Sequence, residues 1–192
     1  MNRRSVLLAA LALSACASPQ TRYHGLTALA GPSPAPSSLR VGLEPVDVAA
    51  FLDRTEIVTR PTPTAVELAD RDAWAEPVDL MLGRVLAESL AAELGIAEVL
   101  ELPTRRLTPL DRVVEVSVQA FNGAAPGEAV LRATWRVYGE TPIRLLREGR
   151  TDVVEPYDPA GGVPALVAAL NATLGPLTAE VADAIRRPPP SS

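Results

Sequence analysis

Two neighbouring segments alternate strictly between apolar and polar residues, and this limits the fold more than any other feature of the chain. In Val113 to Phe121, Val114, Val116, Val118 and Ala120 alternate with Glu115, Ser117 and Gln119. In the next segment Ala129, Leu131, Ala133, Trp135 and Val137 share one face, opposite Arg132 and Arg136. Successive side chains of a strand point to opposite faces, so period two with one polar face specifies an antiparallel sheet that is covered on one side and wet on the other. Turn formers at Asn122 to Gly127 join the two segments, and a third strand over about Ile143 to Val154 completes a meander. Its apolar side needs a cover, and two helical stripes can supply one. The first comprises Val78, Met81, Leu82, Val85, Leu86 and Leu90; the second comprises Val163, Leu166, Val167, Leu170, Leu174, Leu177, Val181 and Ile185. The expected fold class is therefore α+β: an antiparallel-rich sheet with two amphipathic helices packed on one face.

The boundaries follow from the breakers. Glu76-Pro77 marks the start of a helix over Pro77 to Leu94, because proline suits the first helical position and disfavours helix in the residue before it. Gly95 can close it in a left-handed cap. Gly175-Pro176 falls inside the second stripe and predicts a kink. Earlier, Leu39-Val41-Leu43 alternates as a short strand limited by Pro45. Glu56 to Arg60 and Thr64 to Leu68 flank Pro61-Thr62-Pro63 as a hairpin, and Val99 to Leu102 is a further short strand. The folded domain is expected over residues 39–187. A flexible, Pro- and Ser-rich tether over 16–38 precedes it, and a loose tail over 188–192 follows.

Residues 1–15 read as a signal peptide. Arg3-Arg4 supplies positive charge, and Val6 to Leu13 is an apolar core about half the ~20 residues needed to cross a bilayer. Leu13-Ser14-Ala15-Cys16 then closes the segment and resembles the bacterial lipobox, in which cleavage falls between Ala15 and Cys16. Cys16 is the only cysteine of the chain, so it has no internal disulfide partner. A covalent N-acyl diacylglyceryl group is expected on it, and no other cofactor. Stable anchoring takes about two acyl chains. Ala17 stands where aspartate generally marks retention at the inner membrane, which by resemblance to sorted lipoproteins points to the periplasmic face of the outer membrane. No second apolar run is expected to span a membrane.

Composition removes several function classes. Cleavage would leave 177 residues with 16 basic and 23 acidic side chains, a net charge of −7. An acidic chain without lysine does not suit nucleic acid or a polybasic membrane-docking surface. His24 is the only histidine and sits at the edge of the tether, so nucleophilic triads lack a base in the folded domain. One histidine and one cysteine exclude the common zinc sets. No phosphate-binding glycine loop is present, Gly161-Gly162 reads as a plain turn, and Asp70 and Asp72 read as coincidental neighbours on an acidic surface. No metal site and no enzyme activity are expected.

Two segments carry a family resemblance. Phe51-Leu52-Asp53-Arg54 leads into Glu56-Ile57-Val58-Thr59-Arg60, and Trp74-Ala75-Glu76-Pro77-Val78 opens the first helix. In this order they resemble the PqiC-type, ABC-type transport auxiliary lipoproteins, from Tyr23 through the last helix. Phe51 replaces the usual tyrosine and Val78 the usual leucine. The resemblance implies an outer-membrane lipoprotein that assists an MCE-type system carrying phospholipid between membranes. Its implied partner is an MCE-domain membrane protein, with a ring-shaped homo-oligomer as one arrangement. An envelope scaffolding lipoprotein and a periplasmic lipid carrier are the alternatives. The family has no catalytic residues to transfer. Asp53, Arg54 and Arg60 are expected to brace a loop through charge-assisted hydrogen bonds. Trp74 is expected to pack the helix start on the sheet, and these motif residues, with Phe51, Leu52, Glu76 and Pro77, are also the candidate partner contacts.

Overall fold

The computed structural model describes residues 20–31, 35–105, 108–124, 126–140 and 143–188. The signal peptide, Ala15, Cys16, the first tether residues through 19 and the tail from 189 lie outside the described residues. The expected meander is present as β7 (Arg112–Gly123), β8 (Glu128–Glu140) and β9 (Ile143–Pro156), paired antiparallel along almost their full lengths. Val114, Val116 and Val118 of β7 and Ala129, Leu131, Ala133, Trp135 and Val137 of β8 are buried as the alternation requires. One register differs from the simple alternation. A bulge between Val118 and Ala120 shifts the pairing, so that Ala120 lies opposite Arg132 and Phe121 opposite Leu131. Past the bulge Phe121, not Ala120, points into the core.

The sheet is mixed, which corrects the antiparallel-rich expectation. Its other half lies on the free edge of β7 as three short strands, all parallel to it. β2 (Val41–Leu43) pairs with Arg112 to Val114, β3 (Asp47–Val48) with Ser117 and Val118, and β4 (Glu56–Thr62) touches it at Gly123. The chain thus follows β7 in steps. β6 (Val99–Glu101) pairs parallel with β2. β5 (Ala65–Trp74) pairs antiparallel with β4 through a large register shift, and β1 (Arg22–His24) pairs parallel with β5. Strands of two or three residues have no period to read, so the sequence pattern could not reveal these parallel pairings.

Helices α1 (Val78–Leu94) and α2 (Gly162–Arg186) pack on each other and on the core face of the sheet, α1 over β3 and β6, α2 over β7, β8 and β9. Both stripes are buried as expected, with Val163 only partly so. Pro77 is the cap residue just before α1, not its first residue, and Gly95 closes α1 at φ 67°. The helix runs unbroken through Pro176. Pro176 and Ala172, whose carbonyl loses its partner to the proline, are both exposed, so water can satisfy the orphan group. By length and composition Pro159–Arg186 would suffice to cross a bilayer, contrary to expectation, yet its apolar face is buried in this core.

The tether expected over 16–38 is not free along its length. Residues Arg22 to His24 form β1, and the chain after them straps the helices. Leu26 N–H points to Met81 Sδ of α1 (3.3 Å), Thr27 N–H donates to Asn171 Oδ1 of α2 (2.9 Å), and Leu29 N–H donates to Ser89 Oγ of α1 (3.0 Å). Leu26 is buried in the core. Burying that leucine and satisfying three backbone donors outweighs the cost of ordering a short segment.

Trp135 and Gly149 sit directly opposite on β8 and β9. A Cβ at Gly149 would lie 2.3 Å from Trp135 Cζ2, and the indole is held by its Nε1–H bond to Thr151 Oγ1 (3.1 Å). Gly149→Ala should therefore destabilise the protein by ~1–3 kcal/mol through overpacking, read as a lowered Tm in thermal unfolding. An unchanged Tm would mean that the indole moves freely.

Candidate functional site

Asp72 is the least expected feature of the charged residues. It lies on β5 directly opposite Arg22 of β1 and is only 5% exposed. Arg22 Nη2 donates to Oδ2 (2.7 Å), and His24 Nε2 lies 2.7 Å from Oδ1. The parallel register places Arg22 and His24 two residues apart on one face of β1, so both reach the same carboxylate. The hydrogen bond from Arg22, followed by that from His24, holds the Asp72 carboxyl below the usual carboxylate range, against the opposing effect of burial. Sequence reading placed His24 in a tether and Asp72 among surface acids. Forty-eight residues separate the pair, and no local pattern links them.

The motif residues serve mostly as supports. Leu52 is buried and Phe51 partly so. Arg54 Nε donates to the Phe51 carbonyl (2.8 Å), and Arg60 donates to the Pro63 carbonyl while its guanidinium lies 5.3 Å from the Phe51 ring centroid. Both arginines thus brace loops against backbone carbonyls, whereas Asp53 is exposed and makes no hydrogen bond among the described residues. Trp74 ends β5 instead of opening α1. It is 5% exposed, stacks on Phe121 (6.0 Å between centroids) and its N–H donates to the Thr55 carbonyl (2.7 Å). The β7 bulge is what turns Phe121 toward it. Glu76 pairs with Arg84 of α1 (2.5 Å), and the Pro77 carbonyl accepts from Met81 N–H (3.0 Å).

The outer face of the meander is a ladder of opposite charges. Glu115, Arg136 and Glu148 lie side by side across β7, β8 and β9, with Arg136 3.7 Å and 3.5 Å from the two carboxylates. Arg150 forks onto Asp152 (2.7 and 3.1 Å), and Arg132 lies 3.4 Å from the same group. Directly opposed charges of this kind stabilise the register modestly and leave no field of one sign. Open recesses notch this face. One of about 500 Å³ is rimmed by Glu44, Asp47, Glu115 and Arg136. Another, about 340 Å³, lies between the β4–β5 hairpin and the sheet, where the buried Asn122 Oδ1 and Arg60 Nε are an acceptor and a donor without partners. Among the described residues no three potential metal ligands converge.

Two outcomes are expected from these contacts. Because Asp72 titrates lower in the folded chain than the ~3.9 of a free aspartate, its stabilising contribution is complete above that pH and is lost as pH falls through the depressed value. The stability difference between wild type and Asp72→Asn should therefore be full at neutral pH and close below about pH 4, as measured by denaturant unfolding. Trp74→Ala should cost ~3–5 kcal/mol by emptying a filled core site. A fully stable Trp74→Ala protein that loses a partner would instead place the indole at an interface.

The same fold occurs in solved structures. Protein XCC0632 from Xanthomonas campestris matches with a TM-score of 0.72 at 21% identity, over 84% of this chain and 93% of its own. A crystal structure of an uncharacterized protein matches with a TM-score of 0.67 at 19% identity, over 86% of this chain and 99% of that one. At such identities the likeness concerns the fold alone. No curated protein matches the chain. The sequence pattern of one family, however, matches residues 25–182, from the strap to the last turns of α2; that family is one of membrane-associated transport auxiliaries and not a known enzyme family. The chain belongs to the ABC-type transport auxiliary lipoprotein component family.

Proposed function

We propose that this chain is a lipid-anchored, non-enzymatic auxiliary subunit of an MCE-type intermembrane phospholipid transport system. It is held by acyl chains on Cys16 at the periplasmic face of the outer membrane and acts by contact with an MCE-domain membrane protein. The observation that carries the reading is the family match over residues 25–182 directly downstream of Leu13-Ser14-Ala15-Cys16. Physical features support the same role. The space between helices and sheet, where a carrier would hold an acyl chain, is filled by Leu82, Leu86, Leu166, Leu170 and Leu174. The outer face balances its charges locally, which suits a specific protein contact better than a charged ligand. The exposed Asp53 beside the braced Phe51–Arg54 loop is the motif residue best placed for such a contact.

Crosslinking in cells followed by purification tests the partner. An MCE-domain protein is expected to co-purify with the wild-type chain, and its absence under conditions that retain other envelope contacts would favour a scaffolding lipoprotein. Cys16→Ser should move the protein from the membrane to the soluble fraction and abolish its contribution to transport. A Cys16→Ser protein that stays membrane-bound and active would overturn the anchor.

A further inference from the structure

Parallel pairing of β1 with β5 fixes the direction in which the N-terminus leaves the domain. Arg22 lies opposite Asp72 and His24 opposite Trp74, so lower numbers on β1 run beside lower numbers on β5. Those lower numbers on β5 lead through Ala65 to the turn at Pro63 and Thr64, the tip of the β4–β5 hairpin. The described chain therefore exits toward that tip. Two lengths then compete. From Asp72 back to Ala65, seven residues of strand extend up to ~23 Å. From Arg22 to Cys16, six residues span at most ~22 Å, whatever path they take. The hairpin overhangs β1 by about the full reach of the segment that leads to the anchor.

We infer that the tip of the β4–β5 hairpin is a second membrane contact, resting on the lipid headgroups beside the acylated Cys16. The inference depends on the acylation of Cys16 set out above, and adds to it the face of the domain that meets the bilayer. The surface chemistry agrees. Six consecutive residues, Pro61 to Val66, carry no charge, in a chain where charged residues make up 21%. Of the six large apolar side chains exposed among the described residues, Val66 (45%) and Leu68 (39%) lie on β5 close to the tip. Exposed aliphatic residues with no cationic cluster suit a zwitterionic interface, where burial of apolar area supplies the attraction and anionic lipid is not needed.

Acylated full-length protein in phosphatidylcholine vesicles tests this. An acylated Cys16 has no free thiol, so Val66→Cys supplies one site for an environment-sensitive fluorophore. Leu80→Cys supplies the comparison: Leu80 is also exposed (60%) but lies on α1, past the opposite end of β5. A quencher carried near the lipid headgroup should quench the Val66→Cys probe several-fold more than the Leu80→Cys probe, with little change between low and high salt. If Cys16 proves acylated by mass spectrometry and the Val66→Cys probe is not quenched, or both probes are quenched alike, the hairpin contact is wrong and the anchor stands. If Cys16 is not acylated, the anchor reading fails and takes this inference with it.

Discussion

Strand β7 is the constraint on which the rest of the structure depends. One edge is satisfied along its length by β8 from the same meander. The other edge would be a long unpaired row of donors and acceptors, which a soluble domain has to cover. The first half of the chain is organised by that need. β2, β3 and the middle of β4 step along the edge in parallel register, and α1 lies between β5 and β6 so that the chain can return to start β7 in the same direction. Parallel neighbours need a long connection, and α1 both provides it and covers the apolar face.

The bulge at Gln119 links this sheet to the family motif. By turning Phe121 inward it gives Trp74 a stacking partner, and Trp74 N–H in turn holds the Thr55 carbonyl at the base of the hairpin. The motif residues are thus joined through the core more than through the surface. Asp72 repeats the pattern at the sheet edge. Its carboxylate ties β1 to β5 by two side chains, and the strap that follows β1 bonds to both helices before the chain reaches β2. The N-terminal segment therefore closes the domain from outside.

Long elements were legible from residues alone, because period two over nine residues and helical stripes over several turns leave one reading each. The meander and both helices follow from that signal, and the Gly95 cap and the β4–β5 hairpin follow from the glycine and proline breakers. What remained hidden had a physical cause. β2, β3 and β6 are too short to show a period. The bulge at Gln119 adds one residue and reverses the sense of alternation, so the apolar period that includes Ala120 points to the wrong face past that residue. Trp74 reads as part of a helix start because Glu76-Pro77 follows it, although β5 continues up to it. At the candidate site, Arg54 and Arg60 were found as loop braces, while the Arg22–His24–Asp72 cluster joins residues too far apart for spacing to reveal.

The parallel pairing of β1 with β5 also decides how the domain would bear load. A pull on the chain at Gln20 acts along the axis of β1, toward the hairpin tip. Parallel strands drawn along their axes slide instead of peeling, so the backbone bonds of Arg22 to His24 and both contacts to Asp72 resist together. The strap across α1 and α2 comes under tension only after that shear clamp gives way. A short strand at the edge of a sheet thus becomes the mechanical fastening of the whole domain.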